Sequence, residues 1–328
     1  MLFSRNGARP LCFVVILMTA AAVQVGLSES RIRYTNVAGA RYLFLSDVAD
    51  FYSLTYETGS DWAKLSSRWS QLKFRAKRRK AQINGVAVHL ALAPAKWKNN
   101  ILLSRADFLY TLDPLLRPSF QAQKSVKHIV LDPGHGGKDK GTSGKHLIEK
   151  ELVLDIAELA KNRLQRKGYE VQLTRKTDKK VRLKKRSKLS RRYDADLFIS
   201  IHANNAANEG VSGIETFILP PSNTPSTHNY DKLRNDYPAH DFNRSNACVA
   251  YSLQQHLIEA TGADDRGVKR ANFSVLRHAV SPAALVEVGF LSNPQEEQQL
   301  RRKSYRKKLA NGIVQGVRRY HERISRKN

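Results

Sequence analysis

Two histidines and a glutamate occupy positions that could bind a catalytic metal ion. His135 lies in the glycine-rich turn LDPGHGG, His202 ends the apolar run LFISIHAN, and Glu149 begins an amphipathic segment fourteen residues after His135. Functional side chains of α/β sheets gather at the carboxyl ends of strands. Two imidazoles and one carboxylate form a common catalytic zinc set. The pattern therefore indicates a zinc site, although a lone histidine is more often structural and His146 is a rival ligand.

Glu287 is a candidate proton acceptor because it lies inside the apolar run ALVEVGF. Burying a carboxylate is unfavourable unless it is paired or functional, and burial raises its pKa. Beside a metal ion, such a group can accept a proton from water and donate it to a leaving amine. Two alternatives stay open. Glu287 could be paired with a buried arginine or backbone amides, or Glu215 in GIETF could be the base.

Apolar runs and amphipathic segments alternate from Val126 onward, and such alternation is typical of an α/β domain. We predict one catalytic domain over residues 126–326, with a mixed, largely parallel sheet flanked by helices. The predicted strands are 127–131, YEVQLT, 196–201, GIETFIL and ALVEVGF. The predicted helices are 149–167, 181–193, 243–260 and a C-terminal helix that ends near Ile324.

Residues 31–120 contain short alternating runs and no acidic or histidine cluster, which predicts a small, mostly β domain. Asn84-Gly85 between two such runs predicts a hairpin, and Ser46–Tyr52 is a predicted helix. The boundary is expected near Pro114, Pro118 and the polar stretch 121–125.

Residues 1–28 are typical of an export signal, with two arginines ahead of an apolar stretch; an uncleaved membrane anchor is the alternative. We therefore expect a protein of the cell envelope, periplasm or cell wall. Removing this segment also removes Cys12 and leaves Cys248, a predicted buried residue, so no intramolecular disulfide can form.

The net charge is +27, or +25 without the two arginines of residues 1–28, and it favours contact with a polyanion. Two stretches, 175–192 and the last 28 residues, each carry eleven Lys or Arg. They are either solvated helix faces or surfaces that bind anionic wall or membrane polymers. Nucleic acid is not expected, because aromatic residues do not interleave the basic runs and the chain carries an export signal.

Five ordered motifs resemble the zinc-dependent N-acetylmuramoyl-L-alanine amidases (amidase type 3). The motifs are LDPGHGGKDKGTSG…EKELVLDIA, VQLTRKTD, ADLFISIHAN, SGIETF and VLRHAVSPAALVEVGFLSN, and they run from about Ile129 to the C terminus. The resemblance implies one zinc ion held by His135, Glu149 and His202, with Glu287 as catalytic acid and base. It implies hydrolysis of the amide between N-acetylmuramic acid and L-alanine of peptidoglycan stem peptides, in wall remodelling or daughter-cell separation.

Division amidases of this family carry a helix that occludes the zinc and is displaced by a LytM-type activator. The corresponding segment here, from Leu219 to about Asn246, is short, so a full blocking helix is not expected, and a LytM-type activator stays open as a partner. His228, His240 and Asp241 in this segment are further candidates for the metal site. Residues 31–120 resemble the β module named after copper amine oxidase N-terminal domains, which implies a wall-targeting or spacer role.

Other functions remain open on the residues alone. A wall-binding protein without turnover would lack one of the four site residues, and all four are present. A zinc carboxypeptidase needs an arginine near the metal to bind the substrate carboxylate, for which Arg266, Arg270 and Arg277 are candidates.

Overall fold

The computed structural model describes residues 32–120, 125–227 and 232–326, so the predicted export segment and His228 lie outside the described residues. No helix among the described residues is long and apolar enough to cross a membrane. The strands are β1 Tyr34–Val37, β2 Ala40–Phe44, β3 Thr55–Thr58, β4 Trp62–Ser66, β5 Gln71–Arg75, β6 Arg78–Ile83, β7 Val86–His89, β8 Ala95–Trp97, β9 Asn100–Ser104, β10 His128–Pro133, β11 Glu170–Leu173, β12 Leu197–Asn204, β13 Ile214–Ile218, β14 Asp265–Arg270 and β15 Ala283–Phe290.

Six longer helices accompany these strands: α1 Leu45–Phe51, α2 Glu149–Gln165, α3 Leu183–Arg192, α4 Asn243–Thr261, α5 Pro294–Arg301 and α6 Lys303–Ser325. Short helical turns cover 105–116, Pro118–Phe120, Pro238–Phe242 and Ser274–Arg277. The helices predicted from spacing correspond to α1, α2, α3, α4 and α6 within a few residues at each end.

The central sheet has eleven strands in the order β11-β10-β12-β15-β13-β14-β7-β6-β5-β4-β3. Strands β11, β10, β12 and β15 pair in parallel, whereas β13 is antiparallel to β15 and parallel to β14. The predicted mixed, largely parallel sheet of the catalytic domain is therefore confirmed.

Helices cover both faces of the catalytic part of this sheet. One face carries Leu131, Ile199 and Val286, which share a buried cluster with apolar residues of α2, α4 and α6. The opposite face carries Phe198 and Leu285, in a smaller cluster beside the turn Ser274–Arg277. Because successive side chains of a strand alternate between faces, the apolar runs of β12 and β15 fill both clusters.

The N-terminal region is mostly β, as the alternating runs predict. Strands β3 to β7 form an antiparallel meander, and β1, β2, β9 and β8 form a separate four-stranded sheet. Asn84 and Gly85 join β6 to β7 with φ angles of 48° and 83°, the left-handed pair expected of a tight hairpin turn.

The meander and the catalytic strands belong to one continuous sheet. Strand β7 pairs in parallel with β14 at Val88 and Val268, and the Ala87 amide donates to Asp265 Oδ2 at 2.7 Å. Strand β14 was not predicted, because DRGVKR has neither an apolar run nor regular alternation. The N-terminal region thus packs directly against the catalytic strands.

The contact between β7 and β14 leaves no room for a side chain at Gly267. Its φ is +87°, and a Cβ there would lie 2.6 Å from the carbonyl oxygen of Ala87. Gly262 has a φ of +73° but open space around it, so it isolates the backbone strain. We expect Gly262→Ala to lower the free energy of unfolding by about 1 kcal/mol, and Gly267→Ala by at least about twice as much. Urea unfolding measures both, and equal losses would contradict a tight β7–β14 contact.

Candidate metal and catalytic centre

His135 follows β10 in a turn that two buried arginines hold in place. Arg186 pairs with Asp132 at 2.7 Å and donates to the His135 carbonyl oxygen at 2.6 Å. Arg175 donates to the Gly134 carbonyl oxygen at 2.7 Å. His135 itself has a φ of 59°, which is uncommon outside glycine and requires support from its surroundings. The two arginines supply that support and fix the direction of the imidazole.

His135, Glu149 and His202 converge as the sequence predicts. Glu149 Oε1 lies 3.1 Å from His135 Nε2 and 2.9 Å from His202 Nδ1. One nitrogen or oxygen from each residue lies within 4.8 Å of the others. Two glycines make room for the group: a Cβ on Gly134 would overlap the His202 ring, and one on Gly141 would overlap the Glu149 carboxylate.

Glu149 is an anion at neutral pH. Burial raises the pKa of this carboxyl, but hydrogen bonds with His135 and His202 outweigh burial and lower the pKa to about 2. The amides of Thr142 and Ala203 also donate to its two oxygens, at 2.8 and 3.1 Å. Its place in the first turn of α2 further favours negative charge. An ionised carboxylate between two imidazoles is suited to bind a divalent cation.

Asp139 supports His135 from outside the group, and the sequence analysis missed it. Its Oδ1 lies 2.8 Å from His135 Nδ1 and accepts the Gly141 amide at 3.2 Å. A carboxylate on the second imidazole nitrogen fixes the tautomer and orientation of a metal-binding histidine. The four-residue spacing between His135 and Asp139 in an irregular loop gave no signal of this contact.

The register between β12 and β15 places Glu287 beside His202. Glu287 is paired with His202 across β12 and β15, so both side chains lie on the same sheet face. Its Oε2 is buried and has no hydrogen-bond partner among the described residues. Burial raises the pKa of Glu287 well above its ordinary value, and the charges of Glu149 and Glu215 add to this effect. Such a carboxyl group can accept and return a proton.

Glu215, the alternative base, has a different environment. It is paired with Glu287 across β13 and β15, yet its carboxylate binds the cations of Lys269 and Arg266, the latter at 2.8 Å. Asn204 Nδ2 donates to it at 2.9 Å. Burial raises the pKa of Glu215, but Lys269 and Arg266 reverse that effect and lower it. Glu215 is therefore ionised and bound by these neighbours, which makes it a weaker proton acceptor.

The other candidate ligands lie outside the group. Within residues 32–120, 125–227 and 232–326, His135, Glu149 and His202 form the one cluster of three or more potential ligands. His146 instead lines a neighbouring cavity. His240 contacts Ser222 Oγ and the Pro220 carbonyl oxygen, and Asp241 is exposed.

The three candidate arginines also have other contacts. Arg266 is bound to Glu215, and Arg277 lies over the ring of Tyr237. Arg270 is buried and donates to Thr111 Oγ1 at 2.7 Å in the N-terminal region. These contacts do not favour the carboxypeptidase alternative.

The segment from Leu219 to Asn246 is described except for residues 228–231. In that described part, the helical residues ahead of α4 are the turn Pro238–Phe242. The His135 and His202 side chains are 24% and 19% exposed. Both imidazoles of the candidate metal-binding group are thus partly open to solvent in the described structure, whereas Glu149 is buried.

Comparisons with known proteins identify the catalytic part of the chain. Residues 129–319 match the family model of N-acetylmuramoyl-L-alanine amidases. The sporulation-specific N-acetylmuramoyl-L-alanine amidase of Bacillus subtilis is 33% identical over 191 residues, which cover 58% of this chain and 66% of that relative. The amidase AmiA of Escherichia coli is 29% identical, covering 66% of this chain and 83% of AmiA.

A solved structure agrees with the fold. The catalytic domain of the N-acetylmuramoyl-L-alanine amidase CwlV from Bacillus (Paenibacillus) polymyxa is 32% identical, with a TM-score of 0.51. The match covers 60% of this chain and 98% of that domain. The similarity therefore extends over nearly the whole CwlV domain.

The contrast between Glu287 and Glu215 predicts opposite dependences of stability on pH. Between 4.5 and the raised pKa, native Glu287 holds a proton that the unfolded chain has released, so this group lowers stability as pH rises. Glu287→Gln removes that loss. In a metal chelator, we expect its free energy of unfolding relative to the unsubstituted protein to increase with pH, by up to about 1.4 kcal/mol per pH unit.

Glu215→Gln is the matched comparison. The lowered pKa of Glu215 stabilises the fold above its ordinary value of 4.5, and this stabilisation is lost as pH falls through the lowered pKa. The variant should therefore be less stable than the unsubstituted protein at pH 7, with a smaller difference in acid. Urea unfolding between pH 3 and 8 measures both variants, and parallel curves would contradict the two assigned environments.

Proposed function

The chain belongs to the N-acetylmuramoyl-L-alanine amidase family, and we propose that His135, Glu149 and His202 hold its zinc ion while Glu287 moves the proton. Family membership bears out the expected enzyme class, a peptidoglycan hydrolase. The proposed reaction cleaves the amide between N-acetylmuramic acid and the L-alanine of the stem peptide. The observation that carries the proposal is the buried Oε2 of Glu287, which has no hydrogen-bond partner among the described residues, on a residue paired in register with His202.

The residues present fit a zinc ion. Two imidazoles and one ionised carboxylate form a catalytic donor set, and the contact of Asp139 with His135 supplies the outer support that such sites use. When bound, zinc supplies Lewis acidity that activates water and polarises the substrate carbonyl. Asp139 holds a proton on Nδ1 of His135, which leaves Nε2 free to coordinate.

Glu287 carries the acid and base steps. It accepts a proton from the attacking water and returns it to the departing L-alanine nitrogen, which leaves as an amine. Its raised pKa favours the second step, because the carboxyl group then binds a proton firmly enough to deliver it to the amine. Glu215 stays ionised beside Lys269 and Arg266 and adds negative charge near Glu287.

The cellular setting follows from the substrate. We propose that residues 1–28 export the chain and that it acts in the periplasm or cell wall, in wall remodelling or daughter-cell separation. Exposed basic residues of α3, among them Lys184, Lys185 and Lys188, support retention on anionic wall or membrane polymers. The N-terminal β region would target or space the enzyme. The solvent exposure of His135 and His202 supports activity without a LytM-type activator.

Digestion of purified peptidoglycan by residues 29–328 tests the reaction. We expect release of stem peptides with a free L-alanine amino terminus, detected by mass spectrometry, abolished by a chelator and restored by zinc. Glu287→Gln should keep its zinc, measured by metal analysis, yet lose about 10²–10⁴-fold in rate. Glu215→Gln should lose less, because Glu215 is not the proton carrier.

Other outcomes of this digestion identify which part of the proposal is wrong. If Glu287→Gln turned over normally, Glu215 would become the leading base. Peptides cut elsewhere would show that the proposed scissile bond is wrong. Bound zinc without released peptide would indicate a required activator or a binding role alone.

Asp139→Asn tests the support of His135. The substitution keeps the shape of the side chain but removes the charge that orients the imidazole. We expect zinc affinity to fall about tenfold to a hundredfold, measured by competition with a chromophoric chelator. Asp155→Asn, which removes a carboxylate paired with Arg306 at 3.0 Å, is the control and should bind zinc normally. Unchanged affinity in Asp139→Asn would exclude this supporting role.

A further inference from the structure

A cavity of about 630 Å³ opens beside the metal-binding group, on the side of the loops that follow β12 and β15. Ser143 and Asn205 lie on its wall, and Asn205 Nδ2 donates to Thr142 Oγ1 at 2.8 Å. The Thr142 amide in turn donates to Glu149. A single residue, Thr142, thus separates the Glu149 carboxylate from the cavity. A substrate whose amide lies at the metal-binding group would have one end within reach of it.

The shape of the cavity is fixed by Glu297 beneath it. Glu297 Oε1 accepts the amides of His146 and Leu147, at 2.5 and 2.9 Å, and so anchors the loop ahead of Glu149. Gly144 permits this approach, because a Cβ there would lie 2.5 Å from Glu297 Oε1. Burial raises the pKa of Glu297, but these amides more than reverse the effect and lower it. Glu297 is therefore ionised, and the amides of the loop stabilise its charge.

Apart from Glu297, the described charged residues that line the cavity are two cations and one anion. Lys145 and Arg301 lie on its wall, are exposed, and form no ion pair within the described residues. Glu209 is the one other acidic residue among the described residues that line it. The same lining contains no Trp, Tyr or Phe whose face could stack on a sugar ring. Its chemistry suits an acidic peptide better than a glycan.

We propose that this cavity binds the stem-peptide leaving group, and that Lys145 and Arg301 select stem peptides with free carboxylates. The inference rests on the proposed function, since it requires the scissile amide to lie at the metal-binding group. The glycan then extends to the opposite side of that group. Binding at this cavity orients the peptide nitrogen that receives the proton from Glu287. Amidation of the peptide carboxyl groups weakens binding, because it removes the charge that the two cations attract.

Two soluble muramyl tripeptides that differ only in whether the carboxyl group of the second residue is free or amidated test the selection. The zinc-loaded enzyme should cleave the free-acid form with a kcat/KM about tenfold higher, mainly through KM. Lys145→Ala combined with Arg301→Ala should lose about tenfold on the free acid and little on the amide. Lys73→Ala combined with Arg78→Ala removes the same two charge types from exposed positions on β5 and β6, and should keep the preference.

Direct binding separates the subsite from the reaction. Calorimetry with the released tripeptide, in free-acid and amidated forms, reports the selection whether or not turnover occurs. Equal affinity of the unsubstituted enzyme for the two forms, or an equal loss for both in the Lys145/Arg301 variant, would overturn the subsite. Selective binding without cleavage of the muramyl peptides would retain the subsite and place the failure in the proposed reaction or in a required activator. The zinc content and urea midpoint of each variant show that it is folded.

Discussion

Strand β15 is bonded on one side to the parallel strand β12 and on the other to the antiparallel strand β13, and the candidate catalytic centre depends on both registers. The pairings place His202, Glu287 and Glu215 in one row across three strands. Because side chains alternate along a strand, a slip of one residue would turn Glu287 to the opposite face. The apolar neighbours of Glu287 prevent that slip, since Leu285 and Val286 fill different buried clusters. Core packing therefore aligns Glu287, the proposed proton carrier, with His202, a proposed metal ligand.

Two residues of this row, Glu215 and Glu287, are of the same type but have different environments and therefore different pKa values. Glu215 is bound by Lys269 and Arg266, whereas Glu287 Oε2 has no partner among the described residues. Opposite shifts of two neighbouring pKa values are typical of sites where one acid stays ionised and the other exchanges protons. The proposed mechanism needs such a difference. If Glu215 also exchanged protons, it would compete with Glu287 for the proton of the attacking water.

Much of the centre could be predicted from local pattern, and the rest depends on tertiary contacts. His135, Glu149, His202 and Glu287 stand out because each lies next to or within an apolar run or amphipathic segment. Asp139 and the pairing of Glu215 do not, because their contacts are visible only once loops and strands are assembled. Strand β14 was missed for a related reason.

The charges of β14, unlike those of a solvated strand, are buried. Lys269 is bound to Glu215, and Arg270 is bound to Thr111. A run of such residues has no apolar periodicity by which a strand could be recognised. The basic stretch 175–192 shows the same limit: Arg175 and Arg186 are buried behind the His135 turn, whereas Lys184 and Lys188 face solvent. Stretch 175–192 is thus more than a solvated helix face or a surface that binds anionic polymers, because two of its arginines are buried and support the His135 turn.

Two neighbouring residues of β14 link the catalytic strands to the N-terminal region. Lys269 reaches Glu215 in the catalytic row, and Arg270 reaches the helical segment 105–116. The family match begins at residue 129, so β1 to β9 lie outside it, yet β7 covers the edge that β14 would otherwise expose. Uncovered edges invite pairing with other chains. The N-terminal region is therefore a structural part of the amidase sheet, and any targeting role would be additional to that.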